Sequence, residues 1–271
     1  MTESQFDDEE LYGCEYSPED RPCYLAPGDI PDGELRSALG QLCFLQSDPY
    51  FRTQAFNLDM TDGFLMELEY ATLREWFETE RTPPRAYFLG AQSQMWIFAT
   101  YELLRSWREW VSEVKKWSAN GGLDQKLASL KNQAKDFSHF GIEAKIGQLK
   151  AVIKKPELVL LIEAHLDHTY VSFKKLEFLR VALAKNQVSG KPKLIPSMPT
   201  HGRINKECGA LDYELQNGIY IIGQMSRRDV ADAIRGLDLT AAPPSKENLA
   251  SFDTYMKGPG SGIPSSETSC A

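Results

Sequence analysis

No stretch of this chain reaches 18 uninterrupted apolar residues, so a membrane-spanning helix is not expected. Cysteine numbers 5 and histidine 4, no two cysteines stand as CxxC, and no pair has zinc-finger spacing, which leaves out zinc ribbons and thioredoxin-type redox motifs. Glycine (19) and proline (15) are too few and too scattered for a collagenous or low-complexity chain. Neither the Gly-x-x-x-x-Gly-Lys-Ser/Thr nor the Gly-x-Gly-x-x-Gly spacing occurs, so no known phosphate loop is encoded. The first residues (MTESQFDDEELYG) are acidic where a secretory or transit leader would be basic. With an odd cysteine count added, the expectation is a soluble cytoplasmic protein with reduced thiols.

What is present is ordinary globular material. The 271 residues are 42% hydrophobic and 25% charged, enough for one substantial core or two small ones. The net charge of −8 is unevenly spread: residues 1–82 carry 19 acidic and 5 basic side chains, residues 83–271 carry 19 and 25. Within 126–206 there are 15 Lys/Arg against 6 Asp/Glu. An acidic N-terminal third could neutralise that basic surface, or the surface could meet the phosphates of nucleic acid or another polyanion.

Hydrophobic periodicity predicts a mainly α protein: a helical bundle with a small C-terminal β-hairpin plus helix. Residues 1–31 read as an acidic irregular arm, pinned by Phe6, Tyr12, Tyr16 and Tyr24. The bundle spans 32–187. Leu35, Ala38, Leu39, Leu42 and Leu45 predict a helix over 32–46 with Asp32 as N-cap; Met60 to Arg81 follows, burying Phe64, Leu68, Ala71, Leu73, Trp76 and Phe77. Pro83-Pro84 ends that helix, and a long central one runs from Arg85 to Trp117. After Asn120-Gly121-Gly122, an amphipathic basic helix with a kink near Gly141 covers 123–152, and a second long helix covers 157–186. Residues 188–239 comprise a basic loop (189–209), a hairpin turning at Asn217-Gly218, and a helix opened by Ser226 and Asp229 as an approximate capping box. Residues 240–271 read as a disordered tail, dispensable for folding, with at most a short turn around 249–255.

The informative local pattern lies in 157–186. Leu158, Leu161, His165, Thr169, Ser172, Leu176, Leu179 and Leu183 form one stripe with leucines at both ends and a polar middle, and His168 lies at its edge. A buried polar group without a partner costs roughly 1–3 kcal/mol, so something must satisfy this cluster. Glu102 on the central helix and the Asp136-x-x-His139 pair offer carboxylate and imidazole partners. Together Asp136, His139, His165 and His168 are candidate ligands for a divalent metal in the bundle, and Glu102, His165 and His168 candidate acid–base groups. The alternative is structural: core histidines with hydrogen-bonded rings or histidines at the rim of the packed face, and Glu102 paired with Arg105, Arg85 or Arg180.

Two further surfaces are candidates. Lys191, Lys193, His201, Arg203 and Lys206 surround three glycines in the basic loop and suit an anion. Trp107, Trp110 and Trp117 suit a protein partner or a homodimer surface, with core packing as the competing expectation. Thr100-Tyr101-Glu102-Leu103 resembles a fragment of the helical haem dioxygenases acting on tryptophan, but Phe98 stands where their histidine belongs. The Arg-x(4–6)-His motif of helical ribonucleases is absent. Neither resemblance assigns a residue. The functional expectation is a non-catalytic interaction protein that binds a protein or anionic partner. Its rival is an enzyme or ligand binder with a His/carboxylate site in the bundle.

Overall fold

The computed structural model describes residues 24–137, 139–185, 202–217 and 220–258. The aromatic pins Phe6, Tyr12 and Tyr16, the loop positions Lys191, Lys193 and His201, and the hairpin tip at Gly218 lie outside these residues. The architecture is mainly α: the helices α1 (Glu34–Gly40), α2 (Pro49–Thr79), α3 (Arg85–Asn120), α4 (Leu123–Asp136), α5 (Phe140–Lys154), α6 (Leu158–His168) and α7 (Tyr170–Lys185) build the bundle. An antiparallel sheet of β1 (Arg203–Ile204), β2 (Leu211–Asn217) and β3 (Tyr220–Ser226) follows, then α8 (Arg227–Arg235) and α9 (Lys246–Lys257). Among the described residues, no helix is long and apolar enough to cross a membrane.

Helix α3 is the axis, touching α2, α4, α6, α7, α8 and β2. Its buried positions, among them Leu89, Ile97, Leu103, Trp107, Val111 and Val114, recur down its whole length. Gly121 at φ 75° closes it, a left-handed position at which a side chain would be strained. The Trp107/Trp110/Trp117 partner surface is corrected here. Trp107 is fully enclosed and Trp110 is buried; their indole N–H groups donate to the Cys43 carbonyl (2.8 Å) and to Gln148 Oε1 (2.6 Å). Only Trp117 is half-exposed, resting edge-on against Trp110 with Lys126 over its ring. Gln148 and Lys145 of α5 lie against the Trp110 ring, and the connection between α1 and α2 meets Trp107 through Cys43.

Several boundaries move for local reasons. Helix α2 starts eleven residues before the expected Met60: Asp48 accepts from the amides of Tyr50 and Phe51, and Pro49 occupies the first turn. Phe64 and Phe77, expected inside, face out. Helix α1 stops at Gly40, and Gly33 rather than Asp32 precedes it. The chain then continues in turns whose bonds Leu42 N to Leu39 O and Leu45 N to Leu42 O keep a three-residue spacing, so those leucines still share a buried face. The 123–152 pattern is two helices, because the His139 ring accepts from the Gly141 amide and caps α5. The 157–186 pattern breaks at Thr169, whose hydroxyl donates back to the His165 carbonyl (2.8 Å), a bond that bends helices.

In the C-terminal unit the hairpin pairs Asp212 with Ser226 through to Asn217 with Tyr220. Ser226 and Asp229 form the capping box of α8 in full. The strand β1 was not anticipated. The disordered-tail expectation is also corrected over 246–257, where α9 is seated: Tyr170 Oη donates to Asp253, Tyr255 Oη to the Ile222 carbonyl, and Met256 is buried. Residues 259–271 lie outside the described part.

Candidate functional site

Two members of the polar stripe find partners, His165 on the connection between α1 and α2 and Thr169 on α3. His165 Nδ1 accepts from the Cys43 amide (2.9 Å), and the Cys43 carbonyl in turn takes the Trp107 indole, so residue 43 ties α6 to α3. Burial, and then His168, lowers the His165 pKa, which keeps the ring neutral and able to accept. Arg108 donates to the Leu166 carbonyl (2.9 Å) and to Thr169 Oγ1, and stacks over Phe173. His168 Nε2 is buried with no hydrogen-bond partner among the described residues.

The other candidates go elsewhere. Glu102 is partly exposed and pairs with Arg105 (2.8 Å) and Arg180 (3.6 Å), as the structural alternative expected. Asp136 and His139 lie on the exposed α4–α5 connection. Among the described residues no group of three or more His, Cys, Asp or Glu side chains could hold a metal ion, so the proposed Asp136/His139/His165/His168 ligand set is not brought together. The reason is local: capping of α5 and the bond to Cys43 commit His139 and His165 to different places. Arg203 faces Glu214 (3.5 Å) and Lys206 lies over the Trp76 ring, so the described part of the basic loop folds onto the protein. Cys43 and Cys208 are separate free thiols whose pKa values burial pushes up to about 12.

Sequence reasoning missed the strongest electrostatic feature. Arg227 and Arg228 are fully buried, as are Asp62 and Glu69. Arg227 grips Glu69 with two parallel bonds of 2.8 Å and also donates to Asp62; Arg235 reaches the other Asp62 oxygen and Asp232. The network clamps α8 onto α2, with Trp96 stacked against the Arg227 guanidinium. A signal existed: Asp62 and Glu69 stand seven residues apart within the buried series Ala55, Leu58, Leu65, Met66 and Leu73. Gly209 belongs to the same contact. It has φ 79°, and a Cβ there would overlap the Glu69 carbonyl, so only glycine lets the β1–β2 turn lie on α2.

Beside this clamp, Tyr24 donates to Asp229 (2.7 Å) and Asn205 donates to Asp212 (3.2 Å). Burial raises the Asp212 pKa from 3.8 to about 6; Asp229 adds to this and Asn205 opposes it. The folded state therefore holds a proton that the unfolded chain releases near pH 3.8. The resulting stability is fully present below that value and is lost as pH rises through about 6. Asp212→Asn is expected to flatten this dependence, as measured by urea unfolding between about pH 4 and pH 7. Parallel curves for the two proteins would show that Asp212 titrates normally.

On the solvent side of α2 the chemistry is different. Phe56, Met60 and Phe64 are 44%, 60% and 53% exposed and follow one another at four-residue spacing, opposite the buried series. On the neighbouring helix Tyr87, Phe88 and Met95 are also exposed. Comparison with protein-family models, with curated proteins and with solved structures finds no match.

Proposed function

We propose that this chain is a non-catalytic interaction protein that presents the outer face of the α2–α3 helical hairpin to a protein partner. The observation that carries the reading is the exposed Phe56–Met60–Phe64 stripe, accompanied by Tyr87, Phe88 and Met95. Contiguous exposed apolar side chains on a helix are uncommon unless something covers them, and an amphipathic helix with such anchors is a standard recognition element. The enzymatic alternative finds less support, because His139 and His165 each accept a backbone amide and Glu102 is ion-paired. Cytoplasmic residence belongs to the same reading, consistent with two separate thiols held protonated by burial.

The test is capture of bound protein, the chain's own copies included, by tagged wild type and by Met60→Glu from cells that express it naturally. Bound protein should fall at least about tenfold in the variant, equivalent to ~1.4 kcal/mol, while its melting transition is unchanged. Equal capture by both would overturn the reading. A second reading, contact with a polyanion, draws on the exposed Lys131, Lys135, Lys150 and Lys154 of α4 and α5. Its mark would be binding of an unrelated duplex that weakens steeply between low and moderate salt.

A further inference from the structure

We propose that the partner on this face is a second copy of the same chain, with α2 packed antiparallel on the partner's α2 across a two-fold axis at Met60. This rests on the interaction reading above and specifies its partner. Three observations converge on it.

The first is that the stripe is self-complementary. Phe56 and Phe64 stand four residues either side of Met60, so an antiparallel pair centred there sets Phe56 against the partner's Phe64 and each Met60 against the other. Seven and eight residues out, the ends carry opposite charge. Arg52 lies at one end and Glu67 at the other, both exposed, and among the described residues neither makes an ion pair. The same two-fold that joins the aromatic rings brings Arg52 to the partner's Glu67, twice over. An unrelated partner would not require opposite charges at nearly equal distances from a central apolar residue; an interface that repeats itself does.

The second observation is Gly63. A glycine inside a helix costs about 1 kcal/mol relative to alanine, and among the described residues nothing lies within 4 Å of where its Cβ would stand. No packing among the described residues therefore explains it. On the helical wheel it falls between Arg52 and Phe56, on the stripe, where a missing side chain permits close approach of another helix.

The third is relief. An open hollow of about 810 Å³ lies beside Phe56, walled by Arg36, Gln41, Gln46 and Arg52, with Arg36 over the Phe56 ring. A second, of about 520 Å³, lies beside Phe64, walled by Pro27, Glu67, Leu68 and Ala71. The antiparallel arrangement lays each aromatic side chain against the partner's hollow of the opposite end.

Sedimentation velocity of the purified full-length chain over a concentration series is the test. The wild type should be dimeric at micromolar concentration. Met60→Glu places two like charges at the axis and should raise the dissociation midpoint at least tenfold, ~1.4 kcal/mol, with unchanged circular dichroism. Arg52→Glu and Glu67→Arg should each weaken the dimer, and the double variant Arg52→Glu/Glu67→Arg should recover most of the loss, which only a direct pairing of these two residues across the axis produces. A wild type that is monomeric throughout, a dimer indifferent to Met60→Glu, or a double variant as weak as the single ones would overturn the proposal. If the purified chain is monomeric while Met60-dependent capture of a different protein persists, the two-fold falls and the interaction reading stands. If both fail, both fall.

Discussion

Glu69→Ala is expected to destabilise the protein by about 3–5 kcal/mol, read as a lower urea midpoint at unchanged slope. The loss exceeds that of an ordinary ion pair because Arg227 is fully buried and donates both of its parallel bonds to this carboxylate. Removing the partner leaves a guanidinium enclosed by protein with only Asp62 against it, and Asp62 is already shared with Arg235. Exposed pairs give the contrast. Glu102→Ala removes partly exposed contacts to Arg105 and Arg180 and should cost no more than about 1 kcal/mol. A Glu69→Ala loss as small as that would show that water reaches Arg227, and the α2–α8 clamp would have to be abandoned.

Trp107→Ala should be of similar size, about 3–5 kcal/mol, since it opens a large cavity at a fully buried point of the central helix. The indole also holds the Cys43 carbonyl, whose amide donates to His165, so the substitution loosens the link between α3 and α6 together with the core. Trp117→Ala, at a half-exposed site, is the comparison and should cost distinctly less. Equal, small losses at both positions would return Trp107 to the surface and revive the tryptophan partner face that its burial displaced.

The helix order, the proline stop at 83–84, the Asn120-Gly121-Gly122 turn, the hairpin and the Ser226 capping box were legible because each depends on residues a few positions apart. The start of α2 is written locally too, in the Asp48 cap and Pro49, eleven residues before the apolar pattern that begins at Met60. The candidate site was less readable. His165, Thr169, Leu176, Leu179 and Leu183 are buried as their spacing predicts while Leu161 is exposed, and what His165 meets is the amide of a residue 122 positions away. Helical spacing brought His139 into the same picture only by assuming one continuous helix, and the cap it forms at α5 ended that.

Periodicity by itself therefore determined that this chain is a helical bundle with a hairpin-and-helix addition, since the apolar faces and breakers that make those elements are local. Which polar groups are enclosed, and which apolar ones are left outside, was decided only by tertiary structure. Arg227 and Glu69 are 158 positions apart, and although Glu69 stands within the apolar series of α2, nothing in the sequence pairs it with Arg227. Their burial follows from α8 closing on α2, just as the exposure of Phe56, Met60 and Phe64 follows from no part of the described chain crossing the far side of that helix. A side chain's solvent is set by what packs over it, and that is a property of the assembled helices rather than of any one of them.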